Sequence, residues 1–325
     1  MVPAAGETVG QAVPGVRLRD VPSSGGTGVY DGTVVVGVDG GEPSLLAARW
    51  AVLEAARRAV PLRVLLAYRW RVPLTAFAPG GELAETAQQL ADMMVEDVAR
   101  EVSTVAPEVV VQAAAVPGHP ADVLVKAGAG AALVVVGTRG RRAATGALLG
   151  SVSQQVAIHA TCPVAVVRGR PDAAGDVLVG IDGSESSGLA LALAFDEARQ
   201  RGRGLVAVRA IETPIVPLPL GTPPLLHDSA EVQRALADEA AGQVAAAGKR
   251  CPDVPWEFHG VEGEAADVLV DRSRQAQLVV VGSRGRGGFA GLLLGSVGMR
   301  LLHRSHCPVL IAHGPPGTAP PAGRT

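Results

Sequence analysis

The sequence predicts an α/β protein made of two tandem, doubly wound, open five-stranded parallel sheets. Three observations predict it: an internal repeat that takes up nearly the whole chain, short Val-rich strands with no polar alternation, and helical stretches between those strands. Continuous apolar strands are what a parallel sheet covered on both faces requires, because neither face meets water. The chain has 325 residues, and at roughly 150 residues per domain two domains are expected. Each is large enough to bury a core of its own.

The repeat is explicit. Val34-Val35-Val36-Gly37-Val38-Asp39-Gly40 returns as Val177-Leu178-Val179-Gly180-Ile181-Asp182-Gly183. Leu133-Val134-Val135-Val136-Gly137-Thr138-Arg139-Gly140-Arg141 returns as Leu278-Val279-Val280-Val281-Gly282-Ser283-Arg284-Gly285-Arg286. Leu148-Leu149-Gly150-Ser151-Val152 returns as Leu293-Leu294-Gly295-Ser296-Val297, and Cys162-Pro163-Val164 as Cys307-Pro308-Val309. The order is the same in both halves, so this is a domain duplication rather than a short solenoid period.

Each half reads alike. A Val-rich strand ends at Asp39 or Asp182, and a helix follows over Pro43–Arg58 or Ser186–Gln200. Pro43 suits a first helical turn and Ser184 an N-cap. A second strand spans Leu62–Ala67 or Leu205–Ala210, then a Pro-rich loop (Pro73–Pro79; Pro214–Pro224) leads into a long helix. The third strand lies near Glu108–Val116 or Trp256–Val261, the fourth is the Leu-Val-Val-Val run, and the fifth is Pro163–Val167 or Pro308–Ala312. The expected domains are 30–168 and 176–313, joined by a linker over 169–175, with disordered tails at 1–29 and 314–325.

Composition narrows the function classes. Hydrophobic residues make up 48% of the chain, as in a globular protein. The formal net charge of −2 lacks the basic bias of a nucleic-acid binder. Aromatic residues, at 3%, are too few for base-stacking platforms. No apolar run reaches the length of a membrane span. Cys162, Cys251 and Cys307 do not form a secreted disulfide framework, and the first thirty residues lack the apolar core of a signal peptide. A cytoplasmic protein is expected. His303, His306 and Cys307 lie close together but have no second cluster to complete a tetrahedral metal set.

The chemistry is carried by a glycine loop. The fourth strand runs into Gly137-Thr138-Arg139-Gly140, then nine residues, then Gly150-Ser151-Val152-Ser153. The second copy has Gly282-Ser283-Arg284-Gly285, nine residues, then Gly295-Ser296-Val297-Gly298. Glycine lets backbone approach a ligand closely. Successive N–H groups in such a turn form an anion nest, and the helix opening at the Gly-Ser pair adds free donors and the positive end of its dipole. The hydroxyls of Ser151 and Ser153 could add donors to phosphate. Arg139 and Arg284 could pair with phosphate or simply be solvated. Asp39 and Asp182 could accept from a ribose hydroxyl or an adenine amine, hold Mg²⁺, or cap the following helix. The spacing is not that of a dinucleotide fingerprint, and no Walker lysine lies nearby.

With these motifs the sequence resembles the universal stress protein family in its tandem two-domain form. That family's ATP motif is Gly, two residues, Gly, nine residues, Gly, then Ser or Thr, and both halves match it. The resemblance implies a Rossmann-like fold, related to the adenine nucleotide alpha hydrolases, with ATP at the strand ends. It implies that Gly37, Val38 and Asp39 flank adenine and ribose, that Ala67 touches the base, that Val136, Gly137, Arg139 and Gly140 line ribose and phosphates, and that Gly150, Ser151, Val152 and Ser153 hold the phosphates. The second-copy matches are Gly180, Ile181, Asp182, Ala210, Val281, Gly282, Arg284, Gly285, Gly295, Ser296 and Val297. Gly298 stands where Ser153 stands in the first copy, which predicts a weaker second site. The expected function is an ATP-binding stress-response regulator; a slow ATPase and a nucleotide-free interaction module are the alternatives. The expected partners are ATP, the other half of the chain as a pseudo-dimer, a homodimer mate and an unidentified protein.

Overall fold

The computed structural model describes residues 16–17, 32–69, 80–138, 149–211, 229–286 and 294–313. Both Pro-rich loops, Arg139 and Gly140, the C-terminal tail and nearly all of the N-terminal tail lie outside them. Within the N-terminal tail, Val16–Arg17 form a short strand, β1, so that stretch is not wholly irregular.

The first half contains β2 (Val34–Val38), α1 (Glu42–Arg58), β3 (Leu62–Tyr68), α2 (Gly80–Val105), β4 (Val111–Pro117), α3 (Pro120–Ala127), β5 (Leu133–Gly137), α4 (Ser151–His159) and β6 (Val164–Val167). The second half repeats the pattern with β7 (Val177–Gly180), α5 (Glu185–Arg201), β8 (Leu205–Ile211), α6 (Ser229–Gly248), β9 (Trp256–Glu262), α7 (Ala265–Arg272), β10 (Leu278–Gly282), α8 (Ser296–Arg304) and β11 (Val309–Ala312). The predicted elements are all present, with ends within three residues of those expected.

The strand order is β1-β4-β3-β2-β5-β6-β11-β10-β7-β8-β9. Within each half the pairings are parallel, whereas β6 and β11 pair antiparallel, with Ala165 opposite Leu310. The two expected five-stranded sheets are therefore one continuous sheet. Edge strands left bare would offer unpaired N–H and C=O groups, and the two fifth strands satisfy each other instead.

Alternate side chains enter two apolar layers. Val34, Val36 and Val135 pack in the layer with α1, α2, α5 and α6, while Val35, Val134 and Val136 pack in the layer with α3, α4, α7 and α8. This two-sided burial is why the strands read as unbroken apolar runs.

The seam between the halves carries charge. Glu54 of α1 and Glu197 of α5 are both fully buried. Glu54 pairs with Arg58 on its own helix and with Arg201 across the seam at 2.5 Å; Glu197 pairs with Arg201 on its own helix and with Arg58 across the seam. Arg57 adds a third arginine to Glu54 at 2.5 Å. Burial works against the charge on Glu54, but Arg201, Arg58 and Arg57 outweigh it and hold its carboxyl below the ordinary range. For Glu197 burial prevails over Arg201 and Arg58, with repulsion from Glu54 adding to it, and its carboxyl is pushed up.

The strand ends cross-link the seam as well. Arg168, just past β6, donates to the carbonyls of Leu302 at 2.6 Å and Leu301 at 3.1 Å in α8. His313, just past β11, lies against Ala157 of α4. The linker is fixed: Arg170 N–H donates to the His306 carbonyl at 2.9 Å. Gly169, at φ +59°, presses against that carbonyl so closely that no side chain fits.

Candidate functional site

In each half the chain leaves its first strand, adds two strands on one side, and then returns to the other side. The first half reverses between β2 and β5, the second between β7 and β10. At such a switch point neighbouring connections run to opposite faces of the sheet, so a crevice opens at the carboxyl ends of the strands. Asp39 follows β2 and the first glycine loop follows β5; Asp182 follows β7 and the second follows β10. Ala67 and Ala210, next to last in β3 and β8, lie at the same sheet edge. The topology thus gathers the described candidate residues of each half at one edge, about one strand spacing apart, or ~5 Å.

The first-strand turns are alike. Gly40 at φ +77° and Gly183 at φ +81° reverse the backbone. Asp39 Oδ1 accepts from Gly41 N at 3.0 Å, and Asp182 Oδ1 from Ser184 N at 2.9 Å. Ser184 then caps α5, accepting from Ser187 N at 3.1 Å, as expected for that residue. Asp182 also accepts from the Ser184 hydroxyl at 2.6 Å and from Arg286 N at 2.7 Å. Partial burial raises the Asp182 pKa, but these donors outweigh it and the carboxyl lies below the ordinary range. Asp182 is therefore an ionised organiser of its loop. With both of its oxygens engaged, it is poorly placed to hold Mg²⁺ directly.

The glycine loops are closed in one way. Gly150 N donates to the Thr138 carbonyl at 2.6 Å, and Gly295 N to the Ser283 carbonyl at 2.8 Å. Each nine-residue excursion is tied at its base, with α4 and α8 starting directly after the tie. Gly150 and Gly295 are the N-caps, neither helix has a side-chain cap, and neither has an acidic residue in its first turn. The amides of Ser151 and Val152, and of Ser296 and Val297, have no acceptor within their helix. Ser151 and Ser296 are exposed beside them. An anion held there would meet N–H donors and the positive helix end. Next to the first loop a cleft of about 310 Å³ opens between Pro43, Thr138 and Leu149 and the seam residues Arg168 and Leu302.

Not every candidate residue faces the crevice. Ser153 is buried, and its hydroxyl donates to the Gly137 carbonyl at 2.5 Å. It ties α4 to the end of β5, contrary to the phosphate-donor role expected for it. The expected weakening of the second site through Gly298 therefore has no basis in a lost donor; Gly298 packs against Leu294. Val38, Val136, Ile181 and Val281 have buried side chains in the core, so only their backbone could meet a ligand.

Several glycines make room for protein. A Cβ on Gly137 would lie 2.5 Å from the Pro43 carbonyl oxygen, and one on Gly282 would lie 2.7 Å from that of Ser186. These two let the start of α1 or α5 sit on the strand end. Gly37 and Gly180 are filled by Leu124 and Leu269 in the same way. Gly295 differs: a Cβ there would have nothing nearer than 3.7 Å. Gly285 is held against Asp182, and Arg284 N donates to Ser186 Oγ at 3.2 Å.

Arg209, which sequence reasoning passed over, is buried in the last half of β8. The signal was available as the lone charged residue in Leu205-Val206-Ala207-Val208-Arg209-Ala210.

Comparison with known proteins agrees with the fold and the repeat. The profile of the universal stress protein family matches residues 32–168 and 175–313. A universal stress protein of Mycobacterium tuberculosis is 39% identical over 290 residues, covering 86% of this chain and 96% of that one. A second from the same organism is 37% identical over 316 residues, covering 89% of this chain and 97% of the relative. Among solved structures, a universal stress protein from Archaeoglobus fulgidus has a TM-score of 0.63 at 20% identity, covering 86% of this chain and 98% of that chain.

Proposed function

Since the chain belongs to the universal stress protein family, with two family domains in tandem, we propose that it is a regulatory protein that binds ATP in its two strand-end crevices. The observation that carries this reading is the pair of uncapped helix starts, Gly150-Ser151 and Gly295-Ser296, each beside a switch point and free of acidic residues. An uncapped helix start costs stability unless something accepts from its amides. A polyphosphate is the ligand whose charge and acceptors suit it.

In this reading Gly150, Ser151 and Val152, with Gly295, Ser296 and Val297, hold the phosphates through backbone and hydroxyl donors. Arg284, exposed at the loop, reaches the same region, as Arg139 would from its loop. The strand ends at Gly37–Asp39 with Ala67, and at Gly180–Asp182 with Ala210, face the nucleoside. Mg²⁺, when present, travels with the phosphates. ATP supplies charge and size as a signal; occupancy is read through a homodimer or a protein partner, in the cytoplasm where ATP is plentiful.

The test is to denature freshly purified protein and identify the released small molecules by mass spectrometry. An adenine nucleotide, up to two per chain, is expected. No nucleotide released, together with no rise in melting temperature at millimolar ATP, would leave the nucleotide-free interaction module standing instead. Release of labelled phosphate over hours separates a sensor from a slow ATPase.

A further inference from the structure

Arg209 is 6% exposed, and its Nη1 is buried without a hydrogen-bond partner. No carboxylate among the described residues pairs with it. A buried guanidinium with no counter-charge is costly, because water that solvated it is gone and nothing replaces it. Arg58 and Arg201 at the seam show the alternative, since each is matched to two carboxylates.

The position of Arg209 is informative. A Cβ placed on Gly183 would lie 3.5 Å from Arg209 Nη1 and 3.5 Å from Arg286 Cζ. Two guanidinium groups thus converge on one glycine turn at the mouth of the second crevice. The exposed Arg286 covers the outer side and the buried Arg209 forms the floor. Asp182, which precedes Gly183 in the chain, already accepts from Ser184 and from the Arg286 backbone. The first half has no such floor: by strand register its equivalent of Arg209 is Leu66, a buried core residue.

We propose that Arg209 and Arg286 form a phosphate clamp over Gly183, so that the second half selects a nucleotide bearing a second phosphate on its ribose. Planar guanidinium forks match phosphate oxygens in pairs. The buried arm of the clamp is set apart from the Gly295–Ser296 cradle, since Arg209 lies on β8, two strands from β10, which is about 10 Å at ordinary strand spacing, while Arg286 follows the glycine loop and bridges the two. A ligand that fills both therefore carries phosphates on two sides of its sugar. This inference rests on reading the second crevice as a nucleotide site.

The experiment uses the full chain carrying Gly150→Val, which blocks the first crevice, and titrates AMP, ATP and adenosine 3′,5′-bisphosphate by calorimetry. The bisphosphate is expected to bind at least about tenfold more tightly than AMP, the value of one charge-assisted hydrogen bond. Arg209→Leu, which installs the first half's residue, is expected to erase that advantage. Arg286→Gln, at an exposed position that folding does not need, is expected to reduce it. ATP binding with no bisphosphate advantage, or an advantage that survives Arg209→Leu in a folded protein, overturns the clamp alone. If no nucleotide binds, inorganic pyrophosphate decides. A melting-temperature rise lost in Arg209→Leu keeps the clamp while the nucleotide reading falls, and no rise ends both.

Discussion

The seam between the halves and the strand-end crevices are both built from charged and polar groups, yet they are finished differently. At the seam the buried carboxylates meet arginines from both helices, and β6 and β11 satisfy each other's backbone. In the crevices the first-turn amides of α4 and α8 lack caps, and Arg209 Nη1 has no partner. Polar groups that hold a fold together are satisfied within the chain. In the proposed reading, groups left open at a switch point, at a cost to stability, are placed for a ligand. The same glycine-rich, arginine-rich vocabulary thus serves two ends: the charges between α1 and α5 are completed within the chain, although His313 Nε2 past β11 is buried without a partner, whereas the helix starts and Arg209 Nη1 in the crevices are left open.

The largest effect should come from breaking completion at the seam. Glu197→Ala would leave the buried guanidiniums of Arg201 and Arg58 to share the single carboxylate of Glu54. We expect a loss of about 3–5 kcal/mol in unfolding free energy by urea denaturation. ATP affinity in the variant that remains folded should be unchanged. A loss below about 1 kcal/mol would mean that the seam does not depend on the paired charges.

The next effect is pH-dependent. Burial lowers the His313 pKa from its ordinary 6.5 to about 4, against a weaker opposing hydrogen bond to the Ala157 backbone. The folded chain therefore holds this proton less tightly than the unfolded chain does. Its contribution to stability is present above pH 6.5 and is lost as pH falls toward 4, on the order of 3 kcal/mol by linkage. His313→Gln should flatten the stability profile in that window. An unchanged slope would show that His313 is accessible to protons in the folded state.

Glycine substitutions sharpen the contrast within the loops themselves. Gly137→Ala drives a Cβ into the Pro43 carbonyl and should cost about 1–3 kcal/mol, as overpacking does. Gly295→Ala has room and should leave the melting temperature nearly unchanged while weakening ATP binding in the second half. Equal stability losses in the two variants would contradict the division between glycines that admit a helix and glycines that admit a ligand. The smallest effect belongs to Ser153→Ala, which removes one tie to Gly137 and should cost about 1 kcal/mol of stability. ATP affinity in the first half should not move.

How legible all this was in the sequence follows from what is local. The strands were legible because Val-rich runs buried on two faces carry their own pattern, as in Leu133–Gly137. The crevice was legible because Asp39 and the glycine loop after Gly137 both follow the carboxyl ends of strands that read as parallel. The fusion of two sheets into one was not, since nothing in Val164–Val167 or Val309–Ala312 says whether an edge meets water or its twin. Gly137 and Gly150 look alike as letters; only packing shows that one accommodates α1 while the other opens α4. Ser153 was misassigned because a hydroxyl one turn into a helix can point out or back, and here it turns back to β5. Arg209 went unnoticed because one arginine in a strand is ordinarily solvated, and its burial is a tertiary fact.

The central claim is that each half offers one phosphate cradle at an uncapped helix start. Its most direct measurement is the stoichiometry of ATP binding by calorimetry in the wild-type chain, in Gly150→Val, in Gly295→Val and in the double variant, each checked for an unchanged melting temperature. The account predicts two, one, one and none. Unaltered binding in the folded double variant would contradict it.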